Sequence, residues 1–91
     1  MTIENLLEIL IDDAIYYLNG NLSFENGLIM WEYDCKNENE DIIKMYGGVE
    51  NYLDKTYDHD FEIIEDVVSL DNFVITKPQI NGTKILFQIK K

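Results

Sequence analysis

The sequence predicts a single α+β domain, in which an antiparallel sheet is packed by an N-terminal helix and a second helical region. Apolar residues recur at helical spacing in two separate stretches, residues 3–18 and 39–56. Two Asn-Gly pairs, at residues 26–27 and 81–82, each separate runs rich in β-branched and aromatic residues. The length of 91 residues, 46 % of them hydrophobic, is sufficient for one core. We therefore expect one domain over residues 1–91, with the element order α-β-β-α-β-β-β.

The first predicted helix spans residues 3–18. Thr2 is a suitable N-cap, and Asn19-Gly20 supplies the left-handed residue at which helices end. Polar residues at a spacing of four, among them Glu4, Glu8 and Asp12, lie on the outer face. The apolar residues repeat at spacings of three and one and form one broad stripe: Ile3, Leu6, Leu7, Leu10, Ile11, Ala14, Ile15 and Leu18.

Residues 21–34 predict a β-hairpin closed by Asn26-Gly27. A two-residue loop at this position pairs Glu25 with Leu28 and Leu22 with Trp31. A polar loop over residues 35–40 follows the hairpin. Alternation along the strands puts five side chains on the face that we expect to meet the helix: Leu22, Phe24, Ile29, Trp31 and Tyr33.

A second helical pattern begins near Asn39 and continues to Thr56 through Gly47-Gly48. Two glycines inside a helix cost about 2 kcal/mol relative to alanine. The region is therefore either one weakened helix or two short ones joined at the glycines, and we favour two. Residues 61–70 fit a helix or a strand, and their Val, Ile and Phe content leads us to predict a strand.

The last twenty residues predict a strand over 73–77, a turn at Asn81-Gly82 and a strand over 83–90. This turn pairs Ile80 with Thr83 and Thr76 with Phe87. Pro78, which has no N–H group, suits an edge strand. The side chains expected to face the core are Val74, Thr76, Ile85, Phe87 and Ile89.

Charge is the most unusual property of the composition. Eighteen acidic residues against seven basic ones give a net charge of −11, and arginine is absent. Such a surface repels nucleic acid and anionic lipid and attracts basic partners, so we expect no direct binding to nucleic acid or membranes. No stretch approaches the ~20 apolar residues of a membrane span, and the first residues lack the basic region of a signal peptide. We expect a cytoplasmic protein with a reduced Cys35.

Candidate catalytic residues are few. Asp58-His59-Asp60 could bind a divalent ion or tune an imidazole, but no second histidine or cysteine lies nearby in sequence. A calcium loop beginning at Asp58 fails where Ile63 and Ser69 replace the required glycine and glutamate. Cys35 has no histidine partner within sequence reach. We therefore expect no enzyme, cofactor or metal site. A metal-assisted hydrolase using the carboxylates of residues 58–66 is an alternative that we rank third, behind the two protein-binding functions given below.

The acidic centre, residues 38–66, holds ten carboxylates against two lysines. Carboxylates four residues apart on a helix rise about 6 Å, whereas a DNA strand presents one phosphate per ~3.4 Å of axis. One helix therefore cannot imitate a DNA backbone, but neighbouring acidic elements could. The predicted partner-binding residues are Glu40, Asp41, Asp54, Asp58, Asp60, Glu62, Glu65 and Asp66. Possible additional contacts are Tyr57, Glu4, Glu8 and Asp12, with Met30 as a further apolar anchor.

In size, charge and order of elements, and in the acidic segments ENED and YDHDFEIIED, the chain resembles small acidic anti-defence proteins of bacteriophages. The resemblance is greatest to the anti-CRISPR proteins that block Cas9. It implies a DNA mimic that occupies the basic nucleic-acid-binding surface of its target in the host cytoplasm. The alternative is an immunity protein or antitoxin that neutralises a basic nuclease toxin.

Overall fold

The computed structural model describes all residues, 1–91. Three helices, α1 to α3 in chain order, span Ile3–Asp13, Glu40–Met45 and Val49–Val68. Five strands, β1 to β5, span Asn21–Glu25, Leu28–Asp34, Val74–Ile75, Gln79–Asn81 and Lys84–Lys90. The α+β class with an antiparallel sheet is confirmed. None of the three helices combines the length and apolar character that crossing a membrane requires.

The sheet has the strand order β1-β2-β5-β3, and β4 pairs with the same edge of β5 as β3 does. The β1–β2 hairpin has the predicted register, in which Glu25 pairs with Leu28 and Leu22 with Trp31. Its turn residues have positive φ, 55° at Asn26 and 75° at Gly27. This backbone matches the twist of the two strands, which is why Asn-Gly is a reliable hairpin signal.

The register of the C-terminal strands differs from the prediction. Ile80 pairs with Ile85 rather than Thr83, because the two-residue loop is Gly82-Thr83. Thr76 bonds to Gln88 rather than facing Phe87: the Thr76 N–H donates to the Gln88 carbonyl, and the Gln88 N–H donates to the Thr76 hydroxyl, each over 2.9 Å. Pro78, which cannot donate a ladder hydrogen bond, lies between β3 and β4. The edge is therefore divided. Val74, predicted to face the core, is exposed because it pairs with the exposed Lys90, whereas Ile75 pairs with the buried Ile89.

The first helix is shorter than predicted. The hydroxyl of Thr2 accepts a hydrogen bond from the Asn5 N–H over 3.1 Å, which confirms Thr2 as the N-cap. The helix ends at Asp13, and a single 3-10 turn, Ile15–Tyr17, leads towards β1. Because the chain leaves the helical path here, Ile15 is exposed rather than part of the buried stripe.

The glycine pair ends α2, as predicted for two separate helices. The N–H of Gly47 donates to the Lys44 carbonyl over 3.0 Å, and that of Gly48 donates to the Ile43 carbonyl over 3.1 Å. This pattern is a Schellman motif, which satisfies the last carbonyls of a helix. It requires positive φ at Gly47, where the value is 92°, and Gly48, the N-cap of α3, also has positive φ, at 112°. Side chains other than glycine rarely adopt such backbone angles.

The third helix extends to Val68, so the strand predicted over residues 61–70 is wrong. Its inner stripe continues past Thr56 through Asp60 to Ile64 and Val68 without a change of period. Packing of this stripe against the sheet outweighs the preference of Val and Ile for strands, which depends strongly on context.

The core lies between the helices and one face of the sheet. Trp31 and Phe87 stack with a centroid separation of 5.0 Å at its centre, and Leu6 and Leu53 bring α1 and α3 onto the same cluster. Helices α1 and α3 therefore cover the same sheet face and contact each other. Their outer faces lie on one side of the molecule, which we call the helical side. The remaining fully or largely buried apolar residues are Leu10, Ala14, Ile29, Cys35, Tyr52, Ile64, Val68, Ile85 and Ile89.

Candidate functional site

The outer face of α3 carries a regular row of carboxylates. They recur every four residues, are all exposed and are called the acidic stripe here: Glu50, Asp54, Asp58, Glu62 and Asp66. Each step advances about 6 Å along the axis and turns about 40° around it, so the stripe covers about 24 Å. Glu65, also exposed, lies between two of these positions around the helix.

No carboxylate of the acidic stripe forms an ion pair. The ion pairs of the structure join Asp71 to the N-terminal amine and to Lys91, and Glu32 to Lys84. Lys55, the one lysine of α3, instead lies with its Nζ 4.5 Å from the centroid of the Tyr46 ring. Each pair of like charges four residues apart costs about 0.2–0.5 kcal/mol. The helix therefore retains an unneutralised charge at some expense in stability.

The other predicted acidic residues are also exposed, apart from Asp60. Glu40 and Asp41 occupy the first turn of α2, where the Asp41 N–H donates to the Asn39 side chain over 2.8 Å. Glu4, Glu8 and Asp12 are exposed on α1. Since α1 and α3 cover the same sheet face, their carboxylates add to the negative potential of the helical side.

Asp60 is fully buried, with 0 % of its surface exposed, so its predicted role on the exposed acidic face is wrong. Its Oδ2 accepts hydrogen bonds from the N–H of Gly20 over 2.8 Å, from the N–H of Asn19 over 2.9 Å and from Trp31 Nε1 over 2.9 Å. Residues 57–60, which fall between the predicted helical region and the predicted strand, are instead part of α3, and position 60 lies on its inner stripe. A buried carboxylate is tolerated there because donors surround it.

These hydrogen bonds join three parts of the chain. Asp60 belongs to α3, Trp31 to β2, and Asn19 with Gly20 to the segment that enters β1. Glycine is required at position 20, because a Cβ there would lie 2.3 Å from Trp31 Nε1. The Asp60 anchor, meaning Asp60 with these three partners, thus fixes α3 on the sheet and with it the position of the acidic stripe.

The Asp58-His59-Asp60 triplet does not converge on one point. Asp58 points outward while Asp60 is buried, and His59 is exposed with its Nδ1 2.7 Å from Asp60 Oδ1. Nowhere in the chain do three or more His, Cys, Asp or Glu side chains assemble a group that could hold a metal ion. Burial raises the pKa of the Cys35 thiol, which favours the weakly nucleophilic protonated form.

No protein-family model, curated protein or solved structure matches this chain. Its function is therefore inferred from its own residues, above all from the acidic stripe. Glu50 is the stripe member that the sequence prediction missed. Its four-residue spacing to Asp54 and Asp58 is readable in the sequence, and the strand predicted over residues 61–70 concealed that Glu62 and Asp66 continue the same row.

The two proposed apolar anchors, Tyr57 and Met30, lie on opposite sides of the sheet. Tyr57 is half-buried on the helical side, in an edge contact with Phe87 at a centroid distance of 5.7 Å. Burial also raises the pKa of its hydroxyl. Met30 alternates with the buried Ile29 and Trp31 and so occupies the face without helices. One flat partner surface cannot contact both residues.

Asp34, at the end of β2, should make stability depend on pH. It accepts hydrogen bonds from the Thr83 hydroxyl over 2.7 Å and from the Lys36 N–H over 2.9 Å, and the first of these is the main reason why its pKa is lowered. A lowered carboxyl pKa contributes stability above the ordinary value of about 3.9, and the contribution is lost as the pH falls through the folded-state pKa. We expect Asp34→Asn to be less stable than wild type at neutral pH, and the difference to disappear in acid.

Urea unfolding at a series of pH values measures this difference. Thr83→Val removes the hydroxyl donor but keeps the carboxylate, so it should lose much of the same pH-dependent contribution. An Asp34→Asn difference that stays constant from neutral pH into acid would contradict the assignment.

Proposed function

We propose that this protein is a non-enzymatic inhibitor whose helical side occupies the basic nucleic-acid-binding surface of a target protein. The most direct target class is a nuclease effector such as Cas9. The observation that carries the proposal is the acidic stripe, whose five exposed carboxylates have no counter-ion within the chain. A protein that leaves this charge unneutralised gains attraction to lysine- and arginine-lined grooves.

The match to DNA is one of charge and length rather than of spacing. The stripe covers about 24 Å, a distance over which one strand of B-DNA presents about seven phosphates at ~3.4 Å each. Glu65 lies beside the stripe, and Glu4, Glu8 and Asp12 contribute from α1. Two adjacent acidic helices therefore offer a charge density nearer to that of a duplex than one helix does.

Electrostatic complementarity of this kind accelerates association more than it strengthens the final complex. The inhibitor would reach the effector before target DNA does and would compete with the PAM-bearing duplex for the same groove. In a bacteriophage setting, the place of action is the host cytoplasm.

The test is DNA cleavage by a Cas9–guide RNA complex with increasing amounts of the protein. We expect inhibition when the protein is added before target DNA and little when it is added afterwards, because the groove is then filled. The association rate should fall at least tenfold between about 50 mM and 500 mM salt. His59→Ala, which changes the one histidine, should inhibit within a few-fold of wild type.

Full cleavage at excess protein, or association rates that are equal at both salt concentrations, would contradict the proposal for this target. If Cas9 stays active but a basic nuclease toxin is inhibited, the protein is an immunity protein or antitoxin acting through the same surface. If His59→Ala lost the inhibition of DNA cleavage but still bound the Cas9–guide RNA complex as wild type does, the result would support the hydrolase alternative.

A further inference from the structure

Large apolar side chains are exposed where α2 meets α3. They follow one another at spacings of three, one and three residues and are called the junction patch here: Ile42, Met45, Tyr46 and Val49. Met45 stands out, because 82 % of its surface is exposed. Several exposed apolar residues in one short segment indicate an interaction surface more often than isolated ones do.

The junction patch is held in place by its neighbours. The Schellman motif at Gly47 and Gly48 fixes the end of α2. The Tyr46 ring lies edge-on to Tyr52 at a centroid distance of 5.4 Å, and Lys55 Nζ lies over its face. A partner that bound here would not have to order this backbone, which lowers the entropic cost of association.

Carboxylates without ion pairs flank the patch on both sides. Glu40 and Asp41 begin α2, and Glu50 and Asp54 follow the patch on α3. Lys44 is the one basic side chain within α2, and Lys55 is engaged by Tyr46. The patch and the acidic stripe both reach the first turn of α3, which holds Val49 and Glu50. Its surroundings favour a partner surface that is basic around an apolar centre.

We propose that the junction patch is the apolar anchor of this protein's interface, with Met45 packed against apolar side chains on a partner surface rich in arginine and lysine. The inference rests on the proposed function and adds that the junction patch is the source of specificity for the partner. Charges at the rim speed encounter, whereas a few apolar or aromatic residues at the centre of an interface determine how long a complex lasts. Methionine suits such a position because its flexible side chain adapts to the apolar surface that it meets.

Two short peptides test the proposal without knowledge of the natural target. One alternates arginine and leucine, and in the other serine replaces every leucine. At low salt, we expect both to bind, and the leucine peptide to bind about tenfold more tightly. In NMR spectra, only the leucine peptide should shift the methyl signals of Met45 and Ile42. Met45→Ser should abolish the tenfold difference and leave the affinity for the serine peptide unchanged.

Leu70→Ser is the matched control, because Leu70 is also well exposed, at 69 %, but lies beyond the other end of α3. It should retain the tenfold difference. If Met45→Ser retains the difference, or Leu70→Ser removes it, the junction patch is not the anchor. If both peptides bind equally, the proposed binding to basic surfaces remains supported, and only the assignment of the junction patch as the apolar anchor fails. If neither binds at low salt, the proposed function fails as well.

Discussion

Replacing Asp60 with alanine is expected to lower the free energy of unfolding by about 3–5 kcal/mol, since the buried donors around Asp60 lose their acceptor. Gly20 N–H and Trp31 Nε1 would then be enclosed without a hydrogen-bond partner. Domains are commonly stable by about 5–15 kcal/mol, so this variant would be close to unfolding at room temperature. Urea unfolding followed by circular dichroism measures the loss.

Asp60→Asn separates hydrogen bonding from charge at the same position. Its carbonyl oxygen can replace Oδ2 and accept from Gly20 and Trp31. Its amide group would take the place of Oδ1, which accepts from Asn19 and contacts His59 Nδ1, and would lose the Asn19 hydrogen bonds to that atom. We expect a loss of about half that of Asp60→Ala, because an uncharged acceptor makes weaker hydrogen bonds than a carboxylate does. The indole N–H signal of Trp31 should shift in both variants. A change in stability below about 0.5 kcal/mol for Asp60→Ala, typical of exposed sites, would disprove the Asp60 anchor.

Neutralising two central members of the acidic stripe should change stability and association in opposite directions. Asp58→Asn with Glu62→Gln removes three like-charge contacts at four-residue spacing, so the free energy of unfolding should rise by about 0.6–1.5 kcal/mol. The association rate with a basic target should fall about tenfold, because steering depends on the charge facing the groove. Stopped-flow association and urea unfolding measure the two effects separately.

The matched control changes net charge by the same amount on the other side of the molecule. Glu25 and Glu32 lie on the sheet face without helices, so Glu25→Gln with Glu32→Gln should reduce the association rate much less. If both double variants reduce the rate equally, net charge governs association and the acidic stripe has no special role.

Local signals in the sequence were sufficient for much of the fold. Thr2 defines the start of α1, and Asn26-Gly27 sets the β1–β2 register, because only certain residues favour those backbone geometries. Gly47-Gly48 likewise predicts the break between α2 and α3. The exposed carboxylates of the helical side could also be predicted, since charged residues outside an apolar stripe face solvent.

The α+β class, the hairpin register, the interrupted helical region and the excess of negative charge thus follow from local sequence patterns and composition. The continuation of α3 through residues 61–68, and the burial of Asp60 as an internal anchor rather than a surface charge, depend on contacts between distant segments. The physical reason is that a short apolar run satisfies helical and strand periods equally. Its conformation depends on which surface it packs against, and a carboxylate can be buried only where distant segments, here Gly20 and Trp31, bring donors to it.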